Sequence, residues 1–129
     1  MPYHIDIDTD YQFIEIICKG TMTCDEIYQS REDVLPICNE ESIFNLLINQ
    51  FDAILPDDKE RMIKFISTHK TVFPEGTKVA VVVSPQTITL EAVSLIRFIA
   101  KETKFSMDLF MSRETALKWL EFGPTVLLY

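Results

Sequence analysis

Lys78-Val-Ala-Val-Val-Val-Ser-Pro-Gln-Thr87 decides how this chain folds. Val79 to Val83 are consecutive small or β-branched apolar residues with no polar face to offer water. A run of that kind is a strand covered on both sides, as in a parallel sheet. Ser84 to Thr89 then turns the chain into an apolar helix. The turn therefore lies at the carboxyl end of a central strand, where open α/β sheets hold their ligands.

Upstream, Tyr3-His-Ile-Asp-Ile-Asp8 alternates polar and apolar residues, which places Tyr3, Ile5 and Ile7 on one face of an edge strand. A turn at Thr9-Asp10 leads into Tyr11 to Lys19, and the two segments form an antiparallel hairpin. Gly20 is expected to break the second strand. Thr23 with Glu26 three residues on has the capping-box pattern, so a helix starts near Cys24 and runs to about Leu35. Pro36 lacks the N–H that the next helical turn needs, so the helix is expected to bend or end there. Phe44 to Gln50 is a second interior strand with a polar end at Asn49, Gln50 and Asp52. Leu55-Pro-Asp-Asp58 opens another helix, which Pro74-Glu-Gly76 closes.

Downstream, the helix from about Thr89 to Glu102 is apolar over far more than one stripe, so its second face should meet another segment or another copy of the chain. Phe105 to Phe110 supplies the last strand. Ser112 is the expected N-cap of a helix over Arg113 to Leu120, and an apolar tail over 121–129 ends the chain. The whole of 1–129 reads as one α/β domain, a βαβ sandwich. Its mostly parallel central sheet carries an N-terminal antiparallel hairpin and about four helices.

Composition narrows the partners. A formal charge of −8 repels phosphate backbones and anionic lipid surfaces, so nucleic acid is not an expected partner. No apolar run approaches the roughly 18 residues of a membrane span, and Met-Pro-Tyr-His-Ile at the N-terminus lacks a basic region followed by an apolar core, so no signal peptide is expected. Cys18, Cys24 and Cys38 are odd in number and without C-x-x-C spacing, which fits three buried thiols in a reducing compartment. A cytoplasmic location is expected.

The Lys78-Val-Ala-Val-Val-Val83 strand, the Phe-rich last strand and the closing Ala116-Leu-Lys-Trp-Leu120 helix resemble the SpoIIAA-like family of the STAS fold over roughly Tyr3 to Glu121. In that family a Lys-x-Ala-hydrophobic strand and an Ala-x-x-Trp-Leu helix recur. The resemblance implies the fold more than an activity. It is related in fold alone to lipid-binding Sec14-type domains. The better-characterised anti-sigma factor antagonists carry a phosphorylatable Ser at the start of the helix after the third strand, usually in Asp-x-Ser-Gly. The corresponding segment here, Asn49-Gln-Phe-Asp-Ala-Ile-Leu-Pro-Asp-Asp58, contains no Ser or Thr, so the resemblance implies no phospho-switch at that place.

Candidate chemistry is sparse. Gln50, Asp52, Ser84, Gln86 and Thr87 form the polar set that neighbouring strand ends bring together with free N–H groups at a helix start, a candidate ligand-binding corner. Asp52, Asp57 and Asp58 suit either acid–base work or the first turn of a helix. Cys24, at a helix start, is the candidate nucleophile among the thiols. His4 and His69 have no ligand-spaced companions, and neither a metal nor a cofactor is expected. The expected function is a non-catalytic cytoplasmic interaction or regulatory domain. It would meet a protein partner or itself as a homodimer, with Leu90, Val93, Phe98, Leu127, Leu128 and Tyr129 as the candidate interface. The alternatives are a carrier of a small apolar or weakly anionic, lipid-like ligand, and an enzyme built on Cys24 or the Asp52, Asp57 and Asp58 carboxylates.

Overall fold

Five strands form a single sheet in the order β1-β2-β3-β4-β5, in a computed structural model that describes residues 2–56, 60, 61, 64, 73–86, 94 and 106–122. The strands are β1 Tyr3–Asp8, β2 Phe13–Thr21, β3 Asn45–Ile54, β4 Lys78–Val82 and β5 Ser106–Phe110. β1 pairs antiparallel with β2, and every other neighbouring pair is parallel. Among the described residues there are two helices of at least ten residues, α1 Cys24–Glu41 and α2 Arg113–Phe122. The expected helices after Leu55 and after Ser84 fall on segments that lie outside the described residues, apart from helical backbone at 60, 61, 64 and 94.

β4 is an interior strand, between β3 and β5, and is buried on both faces. Val79, Ala80, Val81 and Val82 are all buried, and they alternate between two cores. Val79 and Val81 join Ile14, Ile16, Cys18 and Leu46 beneath Ile27, Val34 and Cys38 of α1. Ala80 and Val82 join Leu47 and Phe110 beneath Ala116, Trp119 and Leu120 of α2. The period-2 alternation of each strand thus feeds both faces, and the two helices cover opposite sides of the sheet. On the α2 side, the Phe110 and Trp119 rings meet at 5.6 Å between centroids, tilted by 50°.

Three local expectations hold. Thr23 accepts a hydrogen bond from the Glu26 N–H at 3.1 Å while the Glu26 carboxylate accepts from the Thr23 N–H at 2.9 Å, closing the capping box. Ser112 accepts from the Thr115 N–H at 3.2 Å and starts α2. Tyr3 and Ile5 point into the α1 core from the edge strand.

Two expectations fail. Pro36 does not end α1, which continues for five residues to Glu41. The lost hydrogen bond falls on the exposed side of the helix, and burial of Cys38 and Ile43 beyond it holds the chain in place. Ser42 then closes the helix in the left-handed region at φ 55°. Nor does Gly20 end β2. After an irregularity between Ile17 and Lys19, pairing with β3 resumes at Lys19–Asp52, Gly20–Ala53 and Thr21–Ile54. The extra residue lies on β3, where Asn49 to Asp52 spans three steps against two from Ile17 to Lys19, and Gly20 beyond it adopts φ 72°, a conformation open to a residue without Cβ. β3 is correspondingly longer than expected, reaching Ile54.

Candidate functional site

The parallel register sets Asn49 beside Val82; Ser84 lies two residues beyond the end of β4, whereas Gln50 lies within β3, which continues to Ile54 after its pairing with β4 stops. Ser84 is buried and Gln50 half-buried, whereas Asp52 and Gln86 are exposed. Thr87 lies outside the described residues, as do Asp57, Asp58 and His69 and all six candidate interface residues, Leu90, Val93, Phe98, Leu127, Leu128 and Tyr129.

A different, open hollow lies at the amino end of the parallel strands, between α2 and the β1–β2 hairpin. It has a volume of about 260 Å³. Its floor is apolar, made by Phe13 at the start of β2 with Leu117 and Leu120 from α2. Asp8, Tyr11, Asn45, Arg113 and Glu121 form the rim. They come from four places in the fold: Asp8 from the end of β1, Tyr11 from the hairpin turn, Asn45 from the start of β3, and Arg113 and Glu121 from the two ends of α2.

Beside this hollow sits the most constrained charge pair in the described structure. Glu15 lies in β2 between Ile14 and Ile16, on the face that α2 covers, with its side chain only 5% exposed. Arg113, 98 positions away, meets it with two nitrogens: Nη2 donates at 2.8 Å and Nε donates to both carboxylate oxygens at 3.1 Å. Asn49 Nδ2 donates to the other carboxylate oxygen at 3.1 Å. The bidentate bond to Glu15 raises the Arg113 pKa against its partial burial, and the Asp8 and Asp6 carboxylates push it the same way. The guanidinium also stands 6.0 Å from the centre of the Phe13 ring.

The cysteines are all free and buried. Burial pushes the thiols of Cys18 and Cys38 up to about 11, which holds them in the unreactive protonated form. Cys24 is buried in the first turn of α1. His4 is exposed, 3.6 Å from Asp6, and no group of three metal-ligating side chains occurs among the described residues. No described helix is long and apolar enough to cross a membrane.

Sequence reasoning missed the hollow and the Glu15–Arg113 pair. A signal for half of it was present: Glu15 is a single charge inside Phe13-Ile-Glu-Ile-Ile17, a strand buried on both faces, and such a charge requires a partner. Nothing local identifies Arg113 as that partner.

No family model matches the chain, and no curated protein matches it. Solved structures do. A DUF3478-family protein of uncharacterised function from Shewanella loihica PV-4, described as having a SpoIIAA-like fold, superposes with a TM-score of 0.58 at 18% identity, over 92% of this chain and 91% of that one. The anti-sigma factor antagonist SpoIIAA in its unphosphorylated form gives 0.52 at 9% identity, over 88% and 91%. The hairpin, the parallel β2–β5 ladder and helices on both faces are thus the SpoIIAA-like form of the STAS fold.

Proposed function

We propose that this chain is a non-catalytic interaction or regulatory domain of SpoIIAA-like type, which works in the cytoplasm by contacting a protein and does so without a phospho-acceptor after β3. The observation that carries the reading is the surface at the end of β3. Phe51, Ile54 and Leu55 are 43%, 64% and 37% exposed, within the Ser- and Thr-free segment 49–58. Large apolar side chains left exposed at a strand end suit a contact with a partner better than they suit water. One fold neighbour bears the name of an anti-sigma factor antagonist, a protein whose action is on another protein. Self-association through Leu90, Val93, Phe98, Leu127, Leu128 and Tyr129 belongs to the same proposal.

A photo-crosslinking amino acid placed at Ile54, with a control at exposed Glu40 of α1, tests it in cells. A discrete crosslinked protein, or a crosslinked dimer, at 54 and not at 40 supports the reading. Equal crosslinking at both positions would sink it. A second reading, a small apolar or weakly anionic ligand at Gln50, Asp52, Ser84, Gln86 and Thr87, is supported by the burial of Ser84 beside half-buried Gln50. Saturable binding of a fatty acid that Ser84→Ala abolishes would favour it over the first.

A further inference from the structure

We infer that the hollow between α2 and the β1–β2 hairpin is a binding site for a small organic monocation with an apolar body, such as an arylalkylamine. The proposal is independent of the interaction reading, which rests on the opposite end of the sheet.

Size and floor define the body of the ligand. A volume of about 260 Å³ holds roughly eight or nine waters at liquid density. That suits one aromatic ring and a short chain rather than a lipid. Phe13 and Leu120 are buried and Leu117 half-buried, so the floor is apolar and an aromatic body displaces water there favourably.

Charge defines the head. Arg113, the one cation among the described residues of the rim, invites an anion at first sight. Its guanidinium is already held by both oxygens of buried Glu15, so an incoming carboxylate would have to compete with a bidentate partner that costs much to leave unpaired. Outside that neutral pair the rim carries Asp8 and Glu121, and neither forms an ion pair among the described residues. The hollow therefore presents a net negative field around an apolar floor. Tyr11, 72% exposed at the mouth, adds an aromatic face of the kind that attracts ammonium groups. An ammonium or guanidinium head is attracted by all three groups, and the same body with a carboxylate head is repelled by two of them.

The test titrates the whole protein with phenethylamine, with phenylacetate as its anionic counterpart and with phenylethanol as the neutral one. The readout is the NMR shift of the Asn45 side-chain amide and the Tyr11 backbone amide. Phenethylamine should give saturable shifts at both positions and phenylacetate none. Glu121→Gln should weaken the amine about threefold and Asp8→Asn with Glu121→Gln about tenfold, as expected for partly solvated charge pairs. Should the double variant fail to fold, Glu121→Gln, an exposed change near the end of α2, still decides the matter. Binding of phenylacetate as tightly as the amine would overturn the proposal in favour of an anion site at Arg113. So would an amine affinity unmoved by either carboxylate change, or the absence of saturable shifts from all three probes.

Discussion

The ammonium of Lys78 reaches the main-chain carbonyl of Leu120 at 3.4 Å, joining the first residue of β4 to the last turn of α2 across 42 positions. α2 has no basic residue of its own in that turn. Its unpaired carbonyls carry the negative end of the helix dipole, and Lys78 supplies the missing cation from the sheet. The Lys-x-Ala strand and the Ala-x-x-Trp-Leu helix are thus coupled physically. Ala80 makes room beneath the helix, Ala116 lets it approach, and Lys78 caps it. Lys78→Met keeps the aliphatic stem and removes the donor. Urea denaturation should show a loss of about 1 kcal/mol, the net worth of one such bond. An unchanged midpoint would mean that water replaces the ammonium at no cost.

Glu15 and Arg113 predict an asymmetry. Arg113 is half-exposed, so a solvated guanidinium survives the loss of Glu15, whereas the loss of Arg113 strands a carboxylate that is 5% exposed. Arg113→Met should therefore destabilise the fold by about 2 kcal/mol, discounted from the cost of breaking a fully buried pair, and Glu15→Gln by less. The double change Glu15→Gln with Arg113→Met should recover part of the loss of Arg113→Met alone. A double variant at the plain sum of the two singles would show that the pair is not coupled.

Tyr3 and Asp33 set a pH dependence at both extremes. The Tyr3 hydroxyl donates to Asp33 at 2.6 Å, and Gln29 donates to the other oxygen at 2.8 Å. These bonds, Tyr3's first, hold the Asp33 carboxyl below its usual range, despite a small opposing effect of burial. Burial first, then the bond to Asp33, raises the Tyr3 phenol to about 12. A depressed carboxyl contributes stability above its unfolded pKa and loses it as pH falls through the folded value. A raised phenol contributes stability below its unfolded value near 10 and loses it as pH rises towards 12. Tyr3→Phe should cost about 1 kcal/mol at pH 7 and flatten both limbs of a stability–pH profile, most clearly between pH 10 and 12. A variant profile parallel to the wild type would refute the linkage.

What the sequence made legible is bounded by distance along the chain. Val79 to Val83 announced a doubly covered strand because burial on both faces removes every polar residue from a local run, and Thr23 with Glu26 announced a helix start within four positions. The registry of β2 on β3 was not legible, because Gly20 and the polar end of β3 look like terminators until the bulge realigns them. Glu15 was visible as an anomaly and Arg113 was not, since 98 positions separate them. The hollow is assembled from residues at 8, 11, 13, 45 and 113–121, each ordinary in its own neighbourhood. Only the packing of α2 beside the hairpin brings them together.

Pro36 carries the last prediction. It sits inside α1 on an exposed position, with the buried Val34 and Cys38 on either side of it, so tertiary burial outweighs a local rule. Its ring removes the N–H that would reach the carbonyl of Glu32 and crowds that same carbonyl, at a cost of about 3 kcal/mol in a helix interior. Against this, proline narrows the unfolded ensemble by about 0.5–1 kcal/mol. Pro36→Ala restores the donor, relieves the crowding and gives up only the second benefit. It should raise stability by roughly 1–2 kcal/mol, read as a higher urea midpoint at an unchanged slope, with the same far-ultraviolet circular dichroism. A lower midpoint would show instead that the proline sets a bend on which the packing of Cys38 and Ile43 against the sheet depends.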